Sequence, residues 1–284
     1  MKPLLSIIIP NYNGERYLSQ CLESVCSLKP ECVEVIVIDG GSTDNSLEII
    51  QGYDSSIDFW CSEEDGGPAE AIRKGFDLAC GEWLGWLNSD DFFLPRALEV
   101  LIDHIRLCGN LSKWLIGGRF YANESGQLVK HQASKPSPDL FLLRDAYGIP
   151  QESTFFRRDF YEQAGRIDVR LKCHFDLDLF LRFYQVVRPC YSDAVFGCFR
   201  QRANQISRNQ SLSKLDYSLK INKMYEKLPL AKKVFRRLLH TRFRSQLIML
   251  CRFVVESKVF AEKTEITRIT YLVSEQRWDI VCIW

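Results

Sequence analysis

Four short apolar runs, each followed by a stretch of helical period, fill the first 108 residues, and no other feature constrains the fold as strongly. Leu4–Pro10 (LLSIIIP) and Val33–Asp39 (VEVIVID) are rich in β-branched residues with little polar alternation. That is the pattern of strands buried on both faces of a parallel sheet. Asp58–Ser62 and Glu82–Asn88 (EWLGWLN) supply the third and fourth runs. Between them, Asn13 can cap a helix from Glu15 to Leu28, and Gly40–Asp44 opens a helix through Gln51. Pro68 suits the first turn of a helix reaching Cys80, and Pro95 starts another. The alternation predicts an α/β protein with a doubly wound, mainly parallel sheet flanked by helices. Ligands of such sheets sit beyond the carboxyl ends of the strands. Asp39, Asp65 and the Asp90-Asp91 pair all fall there.

Farther along, Trp114–Tyr121 and Ser153–Arg157 read as strands and Phe175–Val187 as a helix. From about Ser207 the chain becomes basic and helical in period. The charge divides at the same place: residues 1–207 carry 21 Lys/Arg against 29 Asp/Glu, and residues 208–284 carry 16 against 7. An acidic body suits a metal or sugar site, and a basic tail suits an anionic surface. In 228–260, Lys232, Lys233, Arg236, Arg237, Arg242 and Arg244 interleave with apolar residues at helical spacing, as in a helix that lies on anionic lipid or packs on the body. No nucleic-acid motif accompanies them. The eleven Cys are scattered without a C-x-x-C pair, which favours reduced core thiols over a disulfide framework or zinc site. No leader is evident after Lys2, and no run reaches the roughly 18 apolar residues of a membrane span. The expected location is cytoplasmic, with peripheral contact at the inner face of the membrane through the basic tail.

Several of these residues admit two readings. Adjacent carboxylates at Asp90 and Asp91 repel each other unless a proton or cation lies between them, which suits Mg²⁺ or Mn²⁺; alternatively Asp91 caps the next helix. Asp39, followed by two glycines, can accept a hydrogen bond from a base or ribose, or bond its own turn. Lys74 can reach a diphosphate across the sheet end, or belong to a solvated loop with Glu63-Glu64-Asp65. Asp176 and Asp178 open an apolar helix, where the dipole alone favours acids, and either can serve as a general base.

Joined in order, these pieces resemble the inverting glycosyltransferases of family 2 with the GT-A fold. Ser6–Leu18 (SIIIPNYNGERYL), Val35–Asp44 (VIVIDGGSTD), Ser62–Gly75 (SEEDGGPAEAIRKG) and Gly81–Pro95 (GEWLGWLNSDDFFLP) are similar to its four leading blocks. The likeness resumes at Gln151–Gly165 and Phe175–Arg182. It implies a GT-A domain over 1–207, with a nucleotide-sugar half at about 1–110, an acceptor half at about 111–207, and a helical extension over 208–284. It also implies that Pro10, Tyr12 and Asp39 hold the nucleotide, that Asp65 lines the donor pocket, that Asp90 contacts the donor, and that Asp91 binds Mn²⁺ or Mg²⁺. Asp176 falls at the catalytic base, and Gln151 near a donor or acceptor contact. The sequence departs from the family at Gly40, where a second acid is common, at Arg73, where Asn is common, at His174-Phe175, and at Arg202, where His is common.

The implied reaction moves one sugar from a nucleotide-diphosphate donor to a hydroxyl of a saccharide or lipid-linked acceptor, in surface polysaccharide or glycolipid synthesis. Two alternatives stand beside it. A nucleotidyltransferase would carry a basic, Gly-rich first loop, which Ile9–Glu15 (IPNYNGE) lacks. A non-catalytic nucleotide-sugar-binding protein would have lost the carboxylates, yet Asp39, Asp90, Asp91 and Asp176 are all present.

Overall fold

The computed structural model describes residues 2–108, 111–134, 149–203, 205, 211 and 215–216, with the backbone of 266–272 and 277–283. The expected apolar runs form β1 (Leu5–Asn11), β2 (Val33–Asp39), β3 (Phe59–Ser62) and β4 (Trp83–Trp86). The helices between them are α1 (Glu15–Cys26), α2 (Ser46–Gly52) and α3 (Pro68–Leu78), and α4 (Ala97–Cys108) follows a two-residue strand, β5 (Phe92–Phe93). β6 (Trp114–Ala122) and β7 (Leu128–Gln132) form a hairpin. A 3₁₀ turn at Gln151–Ser153 leads into β8 (Thr154–Arg157), α5 (Arg158–Gln163), α6 (Phe175–Val186) and the long β9 (Cys190–Arg200).

With β10 (Ile266–Leu272) and β11 (Arg277–Ile283) at one edge, the main sheet runs β11-β10-β9-β6-β8-β4-β1-β2-β3, with β5 on β9 and β7 on β6. β1 pairs in parallel with both β2 and β4, which makes it the central strand of the first half. All seven of its residues are buried, as its unbroken apolar run requires. Successive side chains serve opposite layers. Leu5, Ile7 and Ile9 join Val33, Val35 and Val37 against α1 and α4, while Ile8, Ile36 and Ile38 face α3 and an aromatic layer. In that layer Phe180 of α6 stacks on both Trp86 and Trp114, with centroids 5.8 and 6.2 Å apart. Each such apolar side chain contributes about 1.5–3 kcal/mol on burial. This packing fixes α6, and with it Asp176, relative to the ends of β1 and β4.

Two expectations are corrected. Asn13 does not cap α1: it adopts a left-handed backbone, φ 48°, and its Oδ1 accepts the Thr43 N–H at 2.9 Å. The extension expected to be helical ends in two strands, β10 (Ile266–Leu272) and β11 (Arg277–Ile283). They pair antiparallel, and β10 lies parallel to β9. Ile266-Thr267-Arg268-Ile269-Thr270-Tyr271 is rich in β-branched and aromatic residues, whose crowded χ1 favours a pleated strand over a helix. The basic stretch at 228–260 lies outside the described residues. Among the described residues, no helix is long and apolar enough to cross a membrane.

Candidate active site

A cavity of about 970 Å³ opens beyond the carboxyl ends of β1, β2 and β4 and continues under α6 and the end of β9. Its wall holds Pro10, Tyr12, Asp65, Asp90, Gln151, Asp176 and Arg202, all singled out in the sequence. Arg119, Glu152, Lys172 and His174 join them, four residues to which the sequence assigns no site role. Asp39, Lys74, Asp91 and Asp178 do not line the cavity, and each has a physical reason.

Asp39 is fully buried and its carboxylate is consumed by neighbouring loops. Oδ1 accepts from Asn11 Nδ2 (2.8 Å) and Ser42 Oγ (2.5 Å). Oδ2 accepts from Gly41 N (3.2 Å), Ser42 N (2.9 Å) and Ser62 Oγ (2.6 Å). Burial pushes its pKa up, but the hydrogen bonds from Ser42, Ser62 and Asn11 outweigh burial and hold it below the ordinary value. Asp39 thus ties the ends of β1, β2 and β3 together instead of facing a base. The stitched loops present Tyr12, 65% exposed, at the cavity mouth.

Asp65 rests against Gly40: a Cβ built there would lie 3.1–3.2 Å from the carboxylate. The absence of an acidic side chain at position 40 is what lets Asp65 lean in. Its Oδ1 accepts the N–H of Gly67 at 2.7 Å, and Gly67, at φ 116°, has a backbone that L side chains rarely adopt. Burial, then the charges of Glu70 and Asp39, raises the Asp65 pKa. Lys74 turns away on α3 to pair with Glu63.

After β4, Asp90 and Asp91 part company. Asp90 faces the cavity and pairs with Arg202, Nε to Oδ2 at 2.6 Å. Asp91, 1% exposed, points inward: it accepts from the backbone N–H of Arg200 (2.8 Å) and from Asn88 Nδ2 (3.2 Å). Burial, with the charges of Asp90 and Glu152, raises its pKa well above the carboxylate range. Asp91 therefore anchors the turn to β9, and Asp90 is the carboxylate available to a ligand. Buried Arg200 braces the same turn by donating to the Asp90 carbonyl at 2.8 Å.

Gln151 donates to the Trp86 carbonyl (2.7 Å) and accepts from Asn88 Nδ2 (3.1 Å), which fastens the 3₁₀ turn to the end of β4. Beside it Glu152, 1% exposed, has Arg119 at 3.3 Å as its ion-pair partner, and among the described residues neither oxygen accepts a hydrogen bond. Burial raises the Glu152 pKa more than Arg119 lowers it. Arg119 interrupts the apolar run Trp114–Tyr121, which marks it as unusual, but Gln151-Glu152-Ser153 is polar throughout and nothing local points to the pairing.

On the first turn of α6, Asp176 lines the cavity and Asp178 does not. Asp178 is buried and forms an ion pair with Arg182 at 2.9 Å, which corrects its expected contact with a substrate. Burial raises the Asp176 pKa against the lowering effects of the Leu177 N–H, His174 and Arg119. Asp176 is thus a stronger base than an ordinary carboxylate. The loop before it is held from both sides. Lys172 Nζ donates to the Gly66 carbonyl (2.7 Å), and Asp216, beyond the expected boundary at 207, accepts the backbone N–H groups of Lys172, Cys173 and His174.

The model of glycosyl transferase family 2 matches residues 6–163, more than half of the chain. A glycosyltransferase of Streptococcus pneumoniae, GlyG, is 31% identical over 232 residues, covering 74% of this chain and 75% of that protein. Chondroitin synthase of Escherichia coli is 36% identical over 223 residues; the match covers 75% of this chain but 31% of the synthase. Some relatives from Rickettsia are likewise much longer: the chain spans 36% of one from R. felis and 31% of one from R. bellii. Among solved structures, S. aureus TarS 1–349 in complex with UDP-GlcNAc superposes with a TM-score of 0.62 at 19% identity, covering 82% of this chain and 70% of that one. That likeness bears on the fold, which is GT-A-like. The matched blocks, the sheet order and the placement of Asp90 and Asp176 on one cavity agree on one conclusion: this chain is a glycosyltransferase that belongs to glycosyl transferase family 2.

Proposed function

We propose that the chain transfers a single sugar, with inversion, from a nucleotide-diphosphate-sugar to a hydroxyl of a saccharide or lipid-linked acceptor. The observation that carries the reading is Asp176, a carboxylate of raised basicity on the same cavity wall as Asp90, Arg202 and Tyr12. Tyr12 offers an exposed ring for a base to stack on. Arg202 and Lys172 offer positive charge to a diphosphate. Asp176 takes the proton of the acceptor hydroxyl; that oxygen forms a bond to the anomeric carbon, and the bond to the diphosphate breaks with its electron pair on the leaving group. With Asp176 as the base and the acceptor oxygen attacking directly, this single displacement gives inversion. TarS, whose crystal structures hold UDP-GlcNAc or UDP, supports a nucleotide-sugar as the donor class.

The residues fit a divalent cation. Among the described residues no three acids, His or Cys form a protein cage. Mg²⁺ needs none, since one or two carboxylates and substrate phosphates suffice. Asp90 is the residue that would hold it, and the ion would supply charge stabilisation for the leaving diphosphate. Asp90 and Asp65 both line the cavity and offer carboxylate oxygens, the donors such a hard ion takes.

The test is release of nucleoside diphosphate from a panel of nucleotide-sugars, with and without saccharide acceptors. Acceptor-dependent release from one donor supports the reading; a chain that binds donors without ever releasing diphosphate is the non-catalytic alternative. For the basic 208–284 region we propose docking on anionic lipid. Salt-reversible co-sedimentation with anionic but not neutral vesicles supports it, and equal absence from both at low salt contradicts it.

A further inference from the structure

The carboxylate of Asp216 is fully buried, and it gathers three consecutive backbone N–H groups from a loop some forty residues earlier. Oδ1 accepts from Lys172 N at 2.9 Å. Oδ2 accepts from Cys173 N at 2.6 Å and His174 N at 2.8 Å, with Lys172 N again at 3.1 Å. His174 is the N-cap of α6 and makes no side-chain capping bond, while the Leu177 N–H of the first turn goes to Asp176 Oδ1 at 2.7 Å. Asp216 takes the N–H of the cap residue His174 and of the two residues before it, and places a negative charge just ahead of the helix start. Asp216 does not line the cavity, but the residues it holds do: Lys172, Cys173 and His174 lead directly to Asp176. The loop's other tie, Lys172 Nζ to the Gly66 carbonyl, crosses to the opposite wall.

We infer that Asp216 is a positioning residue for the transfer reaction: by clamping the Lys172–His174 backbone it sets where Asp176 meets the acceptor hydroxyl. This rests on the reading of Asp176 as the base. It also gives the segment after residue 207 a part in the active site, since a carboxylate from beyond the boundary expected there holds the loop before Asp176. Asp216→Asn replaces one oxygen with an amide N–H₂. Whichever way the amide turns, at least one loop N–H faces a donor in place of an acceptor. Displacement of a base by about 1 Å costs on the order of 10²-fold in rate.

In the full chain, Asp216→Asn should lower kcat by about 10–100-fold while nucleoside diphosphate affinity falls by no more than about 3-fold, because Tyr12, Asp90 and Arg202 are held by other elements and Lys172 alone of the nucleotide contacts moves with the loop. A merely structural role would lower the unfolding temperature and leave kcat of the folded fraction alone. Two further readouts separate the cases. The amides of Lys172, Cys173 and His174 should exchange hydrogen faster in Asp216→Asn than in the wild type. The double variant Asp176→Asn/Asp216→Asn should be no slower than Asp176→Asn, since a misplaced base that is already disabled costs nothing more. Should Asp216→Asn not fold, Asp216→Glu keeps the charge, shifts it by one methylene, and should show the same pattern with a smaller loss. Unchanged kcat, unchanged exchange, or losses that multiply in the double variant would overturn the role of Asp216. Full turnover by Asp176→Asn would instead overturn the reading of the base.

Discussion

Asp39 gives the sharpest quantitative expectation, because its five hydrogen bonds hold the loops that shape the nucleotide side of the cavity. In Asp39→Ala the Gly41 and Ser42 N–H groups lose their acceptor and cannot turn away, whereas the hydroxyls and the Asn11 amide can find other partners. Two stranded backbone donors at about 1–3 kcal/mol each, plus the lost bonds to a charge, come to about 3–5 kcal/mol. At about 2–4 °C per kcal/mol for chains somewhat smaller than this one, the unfolding temperature should fall by roughly 10 °C. Asp39→Asn should cost less, about 1–2 kcal/mol, the difference between charged and neutral acceptors. A rotated amide keeps its oxygen on Gly41, Ser42 and Ser62, and its N–H₂ meets Ser42 Oγ and a turned Asn11, whose Oδ1 accepts no hydrogen bond among the described residues. The folded pKa of Asp39 is depressed, so its contribution is present above the unfolded value of about 3.9 and is lost as pH falls through the folded one. Urea unfolding at pH 7 and below pH 4 measures this: the gap between wild type and Asp39→Asn should close on acidification. An alanine loss under about 1 kcal/mol, or an asparagine as damaging as alanine, would refute the reasoning.

Other expectations follow from the cavity wall. Asp90→Asn should abolish any rate increase by Mn²⁺ or Mg²⁺ after chelation, whereas Asp91→Asn should keep that response and lose stability; the reverse result would return the metal to Asp91. Arg202→Gln frees Asp90 from its ion pair, so half-maximal activation should need less Mn²⁺, and an unchanged requirement would show that the pair does not compete with the cation. The acid limb of the kcat–pH profile should lie above the ordinary carboxylate range, since Asp176 must be deprotonated to act and its pKa is raised; a limb at or below pH 4 would contradict this.

The strands of the first half were legible because continuous β-branched runs have few other uses, and the strand ends brought Asp65 and Asp90 to the cavity as expected. What the sequence hid was side-chain direction. Asp90 and Asp91 are neighbours, and the turn to Arg200 alone decides which one faces inward. Asp176 and Asp178 stand two residues apart on a helix buried on most sides, so only the stacking of Phe180 between Trp86 and Trp114 settles which reaches the cavity. Lys74 had an acid within reach on β3–α3, and that local pairing prevailed over a ligand. Arg119 with Glu152, and Asp216 with its loop, are contacts between distant segments that no local pattern announces. The closing hairpin is hard to read because the β-branched run Ile266–Leu272 lies in a tail whose dense basic charge and apolar spacing otherwise fit helices.

Comparison of Asp176→Asn with the wild type tests the central claim most directly, by turnover with the identified donor and acceptor alongside nucleoside diphosphate affinity by calorimetry. The account predicts near-normal affinity with turnover lower by about 10²–10⁴-fold, and a wild-type product whose anomeric configuration by NMR is opposite to the donor's. Undiminished turnover in Asp176→Asn, or a product that retains the donor's configuration, would contradict it.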